Sequence, residues 1–331
     1  MNVRFGIVGC SRVARRRFLP ALHSSKAGKF LFAGSRNKEK AKQYALEFHA
    51  EKHGSYEDVL ADERVDAVYI STPPLSHAEW VLKAANAHKH IICEKPAFPD
   101  YGTAREATSV CRAKGVRLVE NYAFKYHPQH QIAKTLAKNK LGEFSRIEIK
   151  YLYPFPPDGD IRLKPELGGG VFHDSVGYVA ATAMFHFEKP PVSVWCRQKI
   201  DQGKNIDTHV SFRLDFGAGV VAEGEVEMGA KEYASRYVLY GKSGELEVCR
   251  AFAIDSDKPA ELVLRVGGSE EKIVVNPASQ FQLLIEDFCK ELESRSSHKD
   301  FEADLLLQHK VMEAAARSIK EKRVVALSEI F

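Results

Sequence analysis

The chain opens with a strand, a tight turn and a helix in immediate succession, and that order constrains the fold more than anything after it. Residues 3–8 are apolar but for Arg4, residues 9–11 read as a turn, and Ala14, Phe18 and Leu22 continue at helical spacing. Gly9, Ser11 and Ala14 stand where a dinucleotide-binding loop carries glycine, glycine, and glycine or alanine. Gly9 permits the turn, and a small third residue lets helix and strand pack closely. Main-chain N–H groups at the helix start then face a pyrophosphate. Gly9, Cys10, Ser11, Arg12 and Val13 are therefore the candidate phosphate-binding residues. Ser11 departs from the pattern, so its side chain either makes room for the phosphate or bonds to it. A turn that serves packing alone is the plain alternative.

The alternation continues. Strand patterns fall at about 4–8, 30–35, 67–71, 90–93 and 117–120, with helical patterns at about 14–24, 37–48, 76–88 and 100–114. Regular alternation implies right-handed crossovers and a parallel, doubly wound sheet. After Asn121 the character changes. A helix at about 127–139 leads to an alternating strand at 146–153, a proline-rich loop, a triple glycine and a helix at about 171–186. Strand patterns then crowd residues 192–275, implying a mostly antiparallel sheet with one face covered by helices. Helices at about 279–294 and 300–321 and a short strand at 324–326 follow. The expected fold class is α/β. A dinucleotide-binding domain over residues 1–122 precedes an α+β domain over 123–331, with a large open sheet for substrate binding and self-association.

A chain of 331 residues exceeds one ordinary core, in keeping with two domains. The net charge of +4 is mild, and lysine and arginine are interleaved with acids, which leaves no basic stripe for nucleic acid. No apolar run of roughly 18 residues and no leader pattern occurs, so no membrane association is expected. The six cysteines show no metal spacing; buried free thiols in the cytoplasm and no bound metal are expected.

Three further stretches carry chemistry. The second strand ends in Ser35-Arg36 with no carboxylate, where an acid would take the ribose 2′-OH of NAD and an arginine the 2′-phosphate of NADP. A hydroxyl and a guanidinium suit phosphate, so NADP is expected with NAD possible, although Arg36 also reads as an ordinary helix-flanking charge. Ser71, Thr72, Pro73 and Pro74 force the chain to turn at a strand's carboxyl end, where cofactor passes; His77 caps the next helix or contacts cofactor. Glu94-Lys95-Pro96 places a lysine at the carboxyl end of another strand. Following Gly168, Gly169 and Gly170, Asp174 and Tyr178 lie at i and i+4 and would share a helix face. An ammonium beside a phenol favours the phenolate, so Lys95, Tyr178 and Asp174 make a proton-transfer group. Without Lys95, Asp174 reads as a helix-dipole partner and Tyr178 as a core aromatic.

Together these stretches resemble the Gfo/Idh/MocA family of NAD(P)-dependent oxidoreductases of sugars, polyols and related alcohols. The matching segments are residues 6–14, 71–74, 94–96, 120–128 and 168–178, spread over both domains. The resemblance implies an N-terminal Rossmann fold, Lys95 as the catalytic lysine, Tyr178 at a position shared by tyrosine and histidine, and Asp174 as the acid on the same helix. The tyrosine form is similar to glucose–fructose oxidoreductase, dihydrodiol and xylose dehydrogenases and nucleotide-sugar ketoreductases. Departures are Ser11 for glycine, Lys125 where arginine is common, and Ala97 where leucine is common.

The expected reaction is hydride transfer between nicotinamide and a carbinol or ketone carbon of a carbohydrate-type substrate. Tyr178 or Lys95 shuttles the proton, and Asp174 or His173 orients a neighbouring hydroxyl. Lys125, His127, Arg162 and His173 are candidate substrate contacts, with Thr72, Pro73, His77, Glu94 and Lys95 beside the cofactor. Arg162, Lys164, Lys125 and His127 equally read as surface charges. A homodimer or homotetramer is expected through the open sheet. Two other classes fit the same fold: a dinucleotide-binding regulator without turnover, and a glycosidase with tightly held NAD.

Overall fold

In the computed structural model, which describes residues 2–294 and 299–331, the chain forms two compact units. One comprises Met1–Ala123 with Gln280–Leu306, the other Phe124–Ser279 with Leu307–Phe331.

The first unit is built on six strands: β1 (Val3–Val8), β2 (Gly28–Gly34), β3 (Lys52–Gly54), β4 (Ala67–Ile70), β5 (His90–Glu94) and β6 (Leu118–Asn121). Between them run α1 (Leu19–Ser24), α2 (Lys38–Glu47), α3 (Tyr56–Ala61), α4 (His77–Asn86) and α5 (Tyr101–Ala113). All pairings are parallel, in the order β3-β2-β1-β4-β5-β6. β1 and β4 are buried on both faces, which is why they read as continuous apolar runs rather than alternating ones. The order reverses between β1 and β4, and the crevice at their carboxyl ends is where an open sheet of this kind takes its ligand.

β3 and α3 are absent from the sequence expectation. β3 is a three-residue, largely exposed edge strand of Lys-His-Gly, with no apolar signal to find. α3 did leave a mark, since Ser55 and Asp58 form a reciprocal capping box. The helix leading into α1 starts with a wider π turn at Ala14–Phe18.

The second unit holds α6 (Pro128–Lys140), β7 (Phe144–Tyr153), α7 (Gly177–Phe187), β8 (Ser193–Asp201), β9 (Ile206–Asp215), β10 (Val221–Met228), β11 (Ala234–Gly241), β12 (Gly244–Val248), β13 (Ala260–Val266) and β14 (Ser269–Val275). After α8 (Gln280–Glu293) and α9 (Phe301–Glu321), β15 (Val325–Ala326) adds the last edge of a nine-stranded sheet ordered β14-β13-β12-β11-β7-β10-β9-β8-β15. Among the described residues, the strand pairings of this sheet are antiparallel except that of β7 with β10; the parallel sheet and the mostly antiparallel one expected from the sequence are both present.

α6 packs on β12 and β13, and α7 on β9 and β10. The other face carries partly exposed ion pairs such as Arg265–Glu245 at 2.9 Å and Arg236–Glu247 at 2.8 Å. A partner covering this face would meet charge as well as hydrocarbon.

The segment Gln280–Leu306 belongs to the first unit, although the sequence reading places it in the second domain. Phe281, Leu284, Ile285 and Phe288 form the buried stripe of α8, which packs against α1 and β2. Such a stripe shows that a helix covers something, not which sheet it covers.

One close approach sets α7 on its sheet. A Cβ on Gly224 of β10 would lie 2.5 and 2.6 Å from the two methyls of Val179, the residue after Tyr178. A helical valine has essentially one rotamer and cannot turn both methyls away. Gly224→Ala should therefore destabilise the protein by about 1–3 kcal/mol in chemical denaturation; an unchanged midpoint would show that α7 can lift at no cost.

Candidate functional site

The site in the first unit grows from the carboxyl ends of β1 and β4. Gly9 has φ +116°, and a Cβ there would lie 2.9 Å from the Ser71 carbonyl carbon and 3.1 Å from the Thr72 nitrogen. Only glycine lets the two loops close on each other. The Ser11 hydroxyl accepts the Ala14 N–H (3.1 Å) and donates to the Ser71 hydroxyl (2.8 Å), which donates to the Gly9 carbonyl (2.9 Å). Ser11 thus spends its side chain on the protein, capping the helix and tying both loops. Tyr44 donates its phenol proton to the Ser11 carbonyl (3.0 Å), steadying the turn from α2.

The Cys10 thiol is buried and directed at the Gly34 carbonyl (3.4 Å), and burial pushes its pKa up to about 11. Its main chain, not its sulfur, is what the turn can offer. Arg12 is exposed and Val13 half-buried at the first helical turn, whose N–H groups seek acceptors outside the helix. A pinched glycine turn at the head of a helix, at the switch point of the sheet, fits a dinucleotide pyrophosphate.

At the end of β2, Ser35 is buried and accepts the Asn37 N–H (3.1 Å), while Arg36 is exposed. Thr72 and Pro73 follow β4; the Ser76 hydroxyl lies 2.9 Å from the Thr72 hydroxyl and donates to the Pro73 carbonyl (2.8 Å). His77 is fully buried: Nε2 lies 2.8 Å from the Thr72 carbonyl and Nδ1 2.9 Å from the Pro96 carbonyl. Its ring braces the loop after β4 against the loop after β5, and both ring nitrogens of the residue expected to cap α4 or contact cofactor lie against main-chain carbonyls.

Glu94 ends β5 and accepts from the Tyr69 phenol and the Asn121 amide, a chain across β4, β5 and β6. Burial raises its pKa, against those two hydrogen bonds. The carboxylate is thus turned into the sheet edge. Lys95 follows, half-buried, joined to Pro96 by a cis peptide bond. The Glu120 carboxylate accepts the Ala97 N–H (2.8 Å) and holds the far side of this turn.

In the second unit the glycine run is a folded knot. Gly169 N–H donates to the Lys164 carbonyl (2.9 Å) and Gly170 N–H to the Arg162 carbonyl (2.9 Å), while a Cβ on Gly170 would collide with Asp207. Asp207 of β9 accepts the Phe172 N–H (2.6 Å) at the start of the following helix, which is π-type at Phe172–Val176 before α7. Asp174 and Tyr178 are both half-buried, whereas His173 is exposed.

The Asp174 carboxylate accepts from the Ser175 hydroxyl (3.0 Å) and the Tyr153 phenol (3.3 Å). The Tyr178 ring sits among Phe124, Tyr151 and Phe252, with centroids 5.5, 5.5 and 4.9 Å away. Arg162 is clasped by Asp160 through two bonds of 2.9 and 3.0 Å, which with the Asp174 charge raises its pKa further. Lys125 and Lys164 are half-buried. His127 is 1% exposed and accepts the Gln129 N–H (3.3 Å) as the N-cap of α6, so its ring faces inward rather than toward a substrate.

Residues 3–122 match an oxidoreductase family with an NAD-binding Rossmann fold, and residues 130–247 match the GFO/IDH/MocA C-terminal domain. A dTDP-3,4-didehydro-2,6-dideoxy-alpha-D-glucose 3-reductase of Saccharopolyspora spinosa is 31% identical over 301 residues, 90% of each chain. The chain belongs to the GFO/IDH/MocA family. It is an NAD(P)-dependent oxidoreductase.

Among other family members, D-xylose 1-dehydrogenase (NADP(+)) 2 of Haloferax volcanii is 30% identical over 88% of this chain and 89% of its own. A 3-ketoreductase from Actinomadura kijaniata, solved with NADP and TDP-benzene, superposes with a TM-score of 0.91 at 27% identity, covering 96% of this chain and 98% of its own.

Tyr69 and Asn121, bonded to Glu94, Tyr153, bonded to Asp174, and Asp207, bonded to the Phe172 N–H, were not singled out from the sequence. Asn121 and Tyr153 had a signal, since each closes a strand; Asp207 had none. The Gly9 geometry is directly testable. Gly9→Ala should cost more than about 1 kcal/mol of stability and abolish dinucleotide binding in a fluorescence titration. Retained binding would mean the two loops can separate.

Proposed function

We propose that the chain transfers a hydride between NADP(H) and a carbinol or ketone carbon of a nucleotide-linked sugar. The cofactor assignment rests on Arg36, which is exposed just beyond β2 and has no acidic partner among the described residues. An NAD site of this fold uses an acid to hold the ribose 2′-OH; a guanidinium without a counter-ion favours the 2′-phosphate instead. Lys38 and Lys40, both exposed, add positive potential beside it. The NADP-bound neighbour and the NADP(+)-named xylose dehydrogenase support the same choice, with NAD as the second cofactor.

When bound, the nicotinamide supplies or accepts the hydride. Tyr178 takes the substrate hydroxyl proton in oxidation and returns it in reduction, while the Lys95 ammonium stabilises charge growing on that oxygen. Asp174, fixed by Ser175 and Tyr153, accepts a hydrogen bond from a neighbouring hydroxyl, with exposed His173 beside it. Lys125 and Lys164, both half-buried, and Arg162, paired with Asp160, are the charges offered to a substrate phosphate. The dTDP-sugar reductases among the relatives support the nucleotide-linked substrate; the Haloferax relative favours a free pentose as a second reading.

Lys95→Ala and Tyr178→Phe should each lower kcat by about 10²–10⁴-fold while NADPH still binds, and Arg36→Ala should weaken NADPH but not NADH. Equal affinity of the wild type for both cofactors would defeat the NADP assignment, and full activity of Tyr178→Phe the proton role.

We also propose a cytoplasmic homodimer or homotetramer joined through the nine-stranded sheet. The six free thiols support a reducing compartment, and the paired charges on the open sheet face support a polar, salt-sensitive interface. Light scattering at micromolar concentration should give a multiple of the 37.1 kDa chain; a monomer would contradict the interface.

A further inference from the structure

Tyr178 can exchange a proton with a substrate oxygen only if its ring is held at one angle, since misplacement by roughly 1 Å can cost about 10²-fold in rate. One ring beside it comes from outside the regular elements. Phe252, 2% exposed, stands in the loop after β12, its centroid 4.9 Å from that of Tyr178 and its plane tilted by 35°. It also meets Tyr151 at 5.2 Å and stands edge-on to Phe124 at 5.3 Å. A loop residue can fix a neighbour only if its own main chain is fixed.

That main chain is bonded on two sides. From β11, the Ser235 carbonyl accepts the Ala251 N–H (2.6 Å) and the Ser235 hydroxyl accepts the Phe252 N–H (3.1 Å). From α6, the Gln129 amide donates to the Arg250 carbonyl (3.0 Å), and His130 Nε2 lies 3.0 Å from the Ala251 carbonyl. A carbonyl can only accept, so Nε2 carries the proton. His130 is fully buried, and burial, with His127 nearby, pushes its pKa down to about 3 and keeps the ring neutral. Nδ1 is then bare and accepts the Tyr237 phenol proton at 2.9 Å.

Two hydrogen bonds would satisfy a buried histidine anywhere in a core. Here one of them ends on the residue next to Phe252, and the other anchors the imidazole to β11. We propose that His130 is a positioning residue for the proton-transfer tyrosine, holding the loop after β12 so that Phe252 sets the angle of the Tyr178 ring. This rests on the reading of Tyr178 above and adds to it a fully buried residue of α6.

The test reads the ring directly. Fluorotyrosine replaces Tyr178, and its fluorine NMR resonance is recorded in the full chain alone and with His130→Phe, His130→Gln, Phe252→Leu, or His130→Phe and Phe252→Leu together. Phenylalanine keeps a ring against Phe124, which stands edge-on to His130 at 5.2 Å, and removes the bond to Ala251. Glutamine restores a donor near the place of Nε2. His130→Phe should move the resonance in the same direction as Phe252→Leu, glutamine should return it, and the double variant should match Phe252→Leu alone. In turnover of a dTDP-linked 3-keto sugar with NADPH, His130→Phe should lower kcat about tenfold and leave KM within about twofold. It should lower kcat no further once Tyr178 is phenylalanine.

An unmoved resonance in His130→Phe would overturn the proposal, as would a shift that glutamine does not reverse or that adds to that of Phe252→Leu. Phe252→Leu leaves the loop's main-chain bonds in place, so it decides the matter should His130→Phe not fold. An unchanged kcat there overturns the proposal; a lowered one, with the wild-type resonance in His130→Gln, supports it. If Tyr178→Phe loses activity and His130→Phe changes nothing, the inference alone fails. If Tyr178→Phe keeps full activity, both fail.

Discussion

The contact between Gly9 and the Ser71–Thr72 peptide is the constraint on which the first unit's site depends. Parallel pairing of β1 with β4 brings their carboxyl ends side by side, and the absence of a side chain at Gly9 lets the following loops touch. The hydroxyls of Ser11 and Ser71 then close the junction with hydrogen bonds worth roughly 1 kcal/mol each. Everything beyond it is placed relative to this pinch: the helix that starts at Ser11, the Thr72 carbonyl that meets His77, and through His77 the loop that carries Lys95. The substitution of serine for the second loop glycine is accommodated because the hydroxyl is consumed by the junction itself.

The second unit solves a related problem with a half-buried acid rather than a glycine alone. Asp207 takes the first N–H of the helix bearing Asp174 and Tyr178, and Gly170 stays small so that Asp207 can come that close. Asp174 is steadied by Ser175 and Tyr153, and the Tyr178 ring is surrounded by Phe124, Tyr151 and Phe252. The groups assigned to proton handling and orientation thus rest on neighbours that come mainly from strands and from the loop after β12. Arg162, an apparent anion-binding charge in the sequence, is instead answered by Asp160 two residues away.

Much of this was legible in the chain. Apolar runs gave β1, β4 and β5, because strands buried on both faces must be apolar throughout. The glycine turn, Ser35-Arg36, Thr72-Pro73 and Glu94-Lys95 could all be assigned to strand ends by local pattern. β3 was hidden because an exposed edge strand needs no apolar residues, and α8 was misplaced because amphipathicity does not name its partner. His77 and His127 looked available for ligand contact, since a polar residue at a helix start is ordinarily exposed. Both are buried, one braced between two carbonyls and the other capping a helix.

The sequence by itself determined most of the strands and helices, β3 and α3 excepted, where the chain must turn, and which chemical groups stand at those turns. These follow from periodicity, backbone stereochemistry and side-chain type, all of which act over a few residues. Only the tertiary structure decided that Gly9 meets Ser71, that Asp207 holds a helix 35 residues earlier in the chain, and that His77 joins the loops after β4 and β5. Those contacts arise from the order and register in which distant strands pair. That order is fixed by burial of the whole sheet and is recorded in no single stretch of the chain.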